Sequence, residues 1–343
     1  MFELTQHAEK EIVDATLLCD QKGNLNPAAI GYAKKPIILG NLKGHFMRKK
    51  KWNNWYIFGD DILFATSIIH LDYAVICSVR FLEYETQRFC EKIVTIPLGK
   101  KLKMPERVLE TVHLNNEELK LQLLFSNGET HMTVTIPNFE GDLLHADLVI
   151  KHQVEDESLN VVVPWNRQTF HLTAKHLSLP VNGYVKLDSK SYTFNEEDCF
   201  AVLDFGRGVW PRNTAWNRAM ASQKCRGHRI GLNLGGLWTD GTGMTENAFF
   251  LDGKLHKIHE DVIFHYNKSD YMEPWQIHTR FTDDVQLSFT PFFEREDSKD
   301  LKLVTSSLHH MVGYYNGQIR LENGRCMKIQ QMLGTVEEHI AKW

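Results

Sequence analysis

Along much of the chain, apolar and polar residues alternate with a period of two. Met132, Val134 and Ile136 fall on one side of such a run. Val285, Leu287 and Phe289 do the same, as do Ile319 and Leu321. This is the pattern of a strand with one face buried. Other runs are apolar without alternation, at 62–69, 148–150 and 159–163, and read as strands buried on both faces. Asn-Gly pairs at 127–128, 182–183, 316–317 and 323–324, and Asp-Gly pairs at 240–241 and 252–253, punctuate these runs. Such pairs tolerate the positive φ angles of tight hairpins.

Helical periodicity is scarce. At the C-terminus, Thr335 with Glu338 three residues on forms a capping-box pattern, and Val336, Ile340 and Trp343 would share a helical face. A short C-terminal helix sealing a barrel wall is therefore expected. Pro211 is a second candidate helix start, which would set Arg212 and Trp216 on one face. Many short antiparallel strands predict an all-β chain of barrel or sandwich units. Its 343 residues suit two units packed together. The expected division is an irregular lead-in over 1–44, a first β-barrel unit over 45–183, and a second over 184–343. The break is set by Pro180, Asn182 and Gly183.

Composition narrows the function classes. Apolar residues make up 43% and charged residues 24%, so a sizeable core is expected. The net charge of −4 offers no general counterion surface, which argues against nucleic acid as the main partner. One basic run, Arg48 to Lys51, precedes Trp52 and Trp55. It reads as a solvated strand end, or else as an anion or membrane patch. The six cysteines form no CxxC pair and suit reduced thiols in a cytoplasm. No leader pattern opens the sequence, and no stretch is long and apolar enough for a transmembrane helix.

Residues 204–247 differ from the rest. They hold Trp210, Trp216 and Trp238, five arginines including Arg207, Arg212 and Arg218, and the carboxylates Asp204, Asp240 and Glu246. Asn217, Asn233 and Asn247 add amides, and glycines recur throughout. Tryptophan supplies a flat apolar face with one donor, arginine a planar fork, and glycine close backbone approach. The stretch reads either as the lining of a pocket or as an architectural lock of Arg, Trp and Asp. No GxGxxG with a following helix, no phosphate loop and no GxSxG occurs. His256 and His259, three apart, would point to opposite faces of a strand, so no metal site and no cofactor is expected.

Two stretches, Asp204 to Pro211 and Gly231 to Asn247, resemble the signature of a bacterial family named only as domain of unknown function 2804. Segments at 18–27, 157–165 and 334–343 agree with it. A more distant resemblance is to two-barrel, lipocalin-like proteins, among them carotenoid hydratases and tocopherol cyclases. It implies a pocket for a largely apolar small molecule. Three functions then compete. The first is a hydratase, cyclase or isomerase, with Asp204, Asp240 or Glu246 as acid and the tryptophans as cation-stabilising faces. The second is a non-catalytic carrier of an amphipathic ligand, its head clamped by Arg207, Arg212 or Arg218. The third is a carbohydrate-binding or carbohydrate-active protein. Asn217, Asn233 and Asn247 count among the expected ligand contacts in each.

Overall fold

The computed structural model describes residues 9–97, 102–300 and 304–342. Among these the helical element is one short turn, Pro27–Ala29, and the rest is strand and connection. Apart from a small parallel pair, Thr16–Leu17 with Ile38–Leu39, the strands form two curled antiparallel sheets packed together as two lipocalin-like units.

The first sheet runs in the order Phe89–Pro97, Ala74–Glu83, Ile62–His70, Lys49–Phe58, Phe200–Val209, Phe170–Leu187, Asp142–Lys151, Glu129–Phe139, Lys120–Ser126 and Val112–Asn115. The second runs Lys254–Lys257, Ala248–Leu251, His228–Gly236, Asn213–Cys225, Cys326–Lys342, Thr305–Arg320, Val285–Asp300, Trp275–Thr279 and Val262–His265. Each sheet curls around its own apolar core. Phe64, Phe81, Phe139 and Phe205 belong to the first core, and Phe249, Trp275, Phe289 and Tyr315 to the second. A third core lies between the units and includes Tyr56, Phe58, Trp210, Met220, Trp238 and Phe250.

This third core explains the unalternated apolar runs. In Ile62–His70, Ile62, Phe64 and Ile68 enter the first core, while Leu63 and Ala65 face the second unit. A strand covered on both faces carries apolar side chains on both, and here only Thr66 and Ser67 interrupt them as buried polar groups before His70. The alternating strands are different: Met132, Val134 and Ile136 are fully buried while their neighbours are half-buried.

Several local expectations give way to tertiary pairing. The expected C-terminal helix is instead the second half of strand Cys326–Lys342, bonded on one side to Asn213–Cys225 and on the other to Thr305–Arg320. Two full ladders and the β-branched Thr335, Val336 and Ile340 outweigh a local cap. Val336 is buried in the second core, but Ile340 is 48% exposed. Trp343 lies outside the described residues. Pro211 starts no helix and lies two residues before strand Asn213–Cys225.

Asn127-Gly128, Asp252-Gly253 and Asn323-Gly324 make the expected turns, and Asp240-Gly241 sits in a longer loop. Asn182-Gly183 and Asn316-Gly317 lie inside strands. At Gly183 a Cβ would stand 2.2 Å from the Asp147 carbonyl oxygen, so glycine there permits close crossing, not a turn. The boundary expected at 183/184 thus falls within one unbroken strand, Phe170–Leu187, and sheet membership changes between Val209 and Asn213. The basic run is only in part a solvated strand end: Arg48 is exposed and precedes the strand. Strand Lys49–Phe58 is paired on both sides, and Lys50 is only 3% exposed.

Candidate functional site

Antiparallel register aligns residues of neighbouring strands into rows, and the rows facing the partner unit are polar. On the first sheet one row reads Lys175, Asp204, Asn54, Ser67. A second reads Thr173, Gly206, Trp52, Ile69, and a third contains Tyr56, Ala65 and Arg80. The second sheet answers with the rows Arg218, Glu337, His310 and Trp216, His339, Leu308. Trp210 directly follows strand Phe200–Val209, and Trp238 and Glu246 flank a connecting loop. Together these groups enclose a cavity of about 160 Å³ between the units.

A chain of buried charges crosses it. Lys175 Nζ donates to Asp204 Oδ1 at 2.7 Å and lies 3.0 Å from Glu246 Oε2. The three side chains are each 3% exposed. Arg218 bridges Asp204 to Glu337, reaching the latter at 3.0 Å, and donates to the Tyr56 hydroxyl at 2.9 Å. Each carboxylate also takes one indole N–H: Trp52 on Asp204 at 3.2 Å, Trp216 on Glu337 at 2.8 Å, and Trp238 on Glu246 at 2.8 Å. The indoles thereby replace the water that these anions have lost, and their apolar rings are left to line the cavity. Trp210 and Trp238 stack with centroids 5.2 Å apart, and Trp52 lies on His171 at 4.4 Å.

Burial alone would raise the Asp204 carboxyl, but Lys175 and Arg218 outweigh it and hold the group at about 2. Glu337 is likewise pushed up by burial and brought down to about 2, chiefly by Arg218. Burial works against charge on Lys175, yet Asp204 and Glu246 keep the ammonium above its ordinary value. His339 is pushed down to about 4 by burial and stays neutral in the wall. Glu246 differs from the other two acids. Its Oε2 accepts no aligned hydrogen bond, although Lys175 stands beside it.

The recurrent glycines of the motif make room for this arrangement. A Cβ on Gly206 would sit 2.1 Å from the Trp52 ring, and one on Gly235 would sit 2.2 Å from Glu246 Oε1. Gly235→Ala is therefore expected to push the Glu246 carboxylate off its partners and cost about 1–3 kcal/mol. Urea denaturation checks this: an unchanged midpoint would mean that Glu246 is not held where described.

Of the residues expected from the sequence, Asp204, Trp210, Trp216, Trp238 and Glu246 line the cavity. The others stand elsewhere. Asp240 is exposed, accepting the Leu237 N–H at 3.1 Å. Arg212 is exposed, and with no helix there it does not share a face with Trp216. Arg207 is buried on the opposite face of its strand from Asp204, bonded to the carbonyls of Pro105 and Trp52 at 2.9 Å each. Asn217 faces Tyr266. Asn233 holds the Glu246 carbonyl at 2.7 Å, and Asn247 accepts the Gly235 N–H at 2.7 Å, so both fix the segment that carries Glu246.

Lys175, Glu337, Trp52, Tyr56 and Arg80 line the cavity without having been singled out as its residues. A signal for Lys175 existed: His171, Thr173 and Lys175 alternate with Phe170, Leu172 and Ala174. Elsewhere, His259 Nδ1 lies 2.7 Å from Glu9 Oε2. All six cysteines are free thiols. No helix among the described residues is long and apolar enough to cross a membrane.

The profile of the family described as domain of unknown function (DUF2804) matches residues 9–343. The chain belongs to that family. No curated protein matches this DUF2804 chain significantly. Among solved structures, a protein of Nitrosomonas europaea provisionally called AttH superposes on the DUF2804 fold with a TM-score of 0.51 at 10% identity. The match covers 86% of this chain and 93% of that one, which shows a shared fold. Kievitone hydratase from Nectria haematococca matches more loosely, with a TM-score of 0.44 at 9% identity over 86% and 88% of the two chains. CghA with Sch210972 matches at 0.37 and 7% identity, over the same 86% and 88%.

Proposed function

We propose that this DUF2804 protein is an enzyme that moves a proton on a small, flat, largely apolar molecule, as a hydratase, cyclase or isomerase does. The observation that carries this reading is the Glu246 carboxylate, which is buried in an indole-lined cavity with one oxygen free of aligned hydrogen bonds. Both oxygens of Asp204 and both of Glu337 accept hydrogen bonds, whereas Glu246 pairs with Lys175 through Oε2 without an aligned hydrogen bond there. Glu246 Oε2 is the oxygen with room to accept a proton from a bound ligand. Lys175 and Arg218, fixed beside it, would stabilise negative charge developing on a ligand oxygen. The same proton returned to a second carbon gives an isomer; combined with gain or loss of water it gives hydration or dehydration.

A second reading, a non-catalytic carrier, draws on Arg80 in the cavity wall. A sugar site would want open tryptophan platforms, whereas Trp210 and Trp238 are each 6% exposed. Free thiols throughout suit the cytoplasmic location expected from the sequence.

The test is to incubate the protein with a metabolite extract and follow masses. Wild type should convert a compound to one of equal mass or one differing by a single water. Glu246→Gln should bind the same compound and lower its turnover at least a hundredfold. A compound that co-purifies and returns unchanged from wild type would support the carrier.

A further inference from the structure

The cavity wall holds a third cation. Arg80 stands in the row of Tyr56 and Ala65, on strand Ala74–Glu83. Its surroundings differ from those of the neighbouring cations. Lys175 touches Asp204 and Glu246, Arg218 touches Asp204 and Glu337, and Arg295 touches Glu91 and Asp297. Arg80 makes one side-chain hydrogen bond, to Ser67 Oγ at 2.7 Å, and has no carboxylate in contact among the described residues. Its Nε is buried and makes no hydrogen bond. A guanidinium donates in fixed planar directions, so an unfilled buried N–H marks a place where an acceptor is missing.

Other groups in this corner agree. The Asn54 Oδ1 atom, assigned as oxygen, is buried and unpartnered in the row next to Arg80. Turning that amide over would present its NH2 instead, a second donor beside the guanidinium. The Tyr56 ring lies between two cations, 5.4 Å from the Arg80 guanidinium carbon and 5.5 Å from that of Arg218. His310, stacked on the same ring at 6.0 Å, stays neutral through burial, with Glu337 drawing a proton toward it and Arg80, Arg218 and Arg295 repelling one.

We infer that Arg80, with Ser67 and Asn54 beside it, is the binding subsite for a carboxylate on the ligand. The bound molecule is then an unsaturated acid. Its carboxylate meets Arg80, its flat body lies among the tryptophans, and its reacting end reaches Glu246. Arginine suits a carboxylate because both are planar and can pair through two parallel hydrogen bonds. This inference rests on the proton-transfer reading for the reacting end only; the anion subsite would serve a carrier equally.

The probes are trans-cinnamate and its neutral counterpart cinnamamide, which share a flat unsaturated body and differ in charge. Calorimetric titration into wild type should show cinnamate binding about ten- to a hundredfold more tightly, the range expected for a charged hydrogen-bonded pair. Arg80→Gln should erase that preference and leave cinnamamide binding unchanged. Arg80→Lys, which keeps the charge and loses the fork, should retain part of it and guards against a variant that fails to fold. Glu246→Gln should keep the full preference, so loss of turnover in that variant with the preference intact separates the two ideas. Equal binding of the probes to wild type, no binding of either at millimolar concentration, or a preference that survives Arg80→Gln overturns the inference.

Discussion

Replacing Lys175 by methionine is expected to destabilise the protein by about 3–5 kcal/mol, the usual cost of removing one partner from a buried ion pair. The reason lies in what stays behind. Asp204 would retain Arg218 and the Trp52 indole, and so keep a cation. Glu246 would retain only the Trp238 N–H, a neutral donor, for a buried negative charge. Most of the loss should therefore come from Glu246. Lys175→Met combined with Glu246→Gln should recover much of it, giving a coupling energy of about 1–3 kcal/mol in a double-mutant cycle. Urea denaturation of the four proteins measures this. A loss below about 1 kcal/mol for the single variant, or strict additivity, would show that the bridge is not what holds the cavity floor together.

Acidification should unfold the protein before the buried Asp204 and Glu337 carboxylates are protonated. Burial holds His176 and His310 down to about 3, and His152 and His339 down to about 4. The unfolded chain titrates its histidines near 6.5. Where the folded value is the lower one, the unfolded state binds protons first. The stability these groups contribute is thus intact above about pH 6.5 and falls as the pH drops toward 4. At pH 4, His176 and His310, which are 7% and 5% exposed, would each remove about 3 kcal/mol. His152 and His339 act in the same direction. Such a sum rivals the whole stability of an ordinary domain, about 5–15 kcal/mol. Asp204 and Glu337, held at about 2, lose their contribution only below about pH 4 and cannot cause an earlier transition. Melting curves taken from pH 7 to 4 should therefore fall steadily, and His176→Phe should reduce the slope by one proton. A melting temperature flat to pH 4.5 would contradict this account.

These two effects arise in parts of the molecule that were unequally legible in the sequence. The alternation of Met132, Val134 and Ile136 is set by the pleat of a strand, so the all-β class could be read directly. The density of tryptophan, carboxylate and glycine in 204–247 pointed to part of the cavity lining for a similarly local reason. Asp204, Trp210, Trp216, Trp238 and Glu246 lie close together along the chain and meet in one cavity. Arg207 and Asp240 carried the same chemistry but failed to reach it. Arg207 is an odd number of positions from Asp204, which turns it to the other face, and Asp240 lies in an exposed loop.

The tertiary structure alone decided the rest. Lys175 meets Asp204, and Arg218 meets Glu337, through ladder register between strands far apart in sequence, and no local pattern encodes a register. Arg80 shows its significance only as the one cation of the cavity wall with no carboxylate in contact among the described residues, a comparison that requires every partner to be in place. The C-terminal segment makes the same point in reverse. Thr335 and Glu338 have the spacing of a helix cap, yet a strand bonded on both sides forms there. A cap contributes about 1 kcal/mol locally, whereas two complete ladders and a buried Val336 act together. Composition and period thus determined the class of the fold and the chemistry of its richest segment. Which side chains face one another across the cavity followed from the pairing of distant strands.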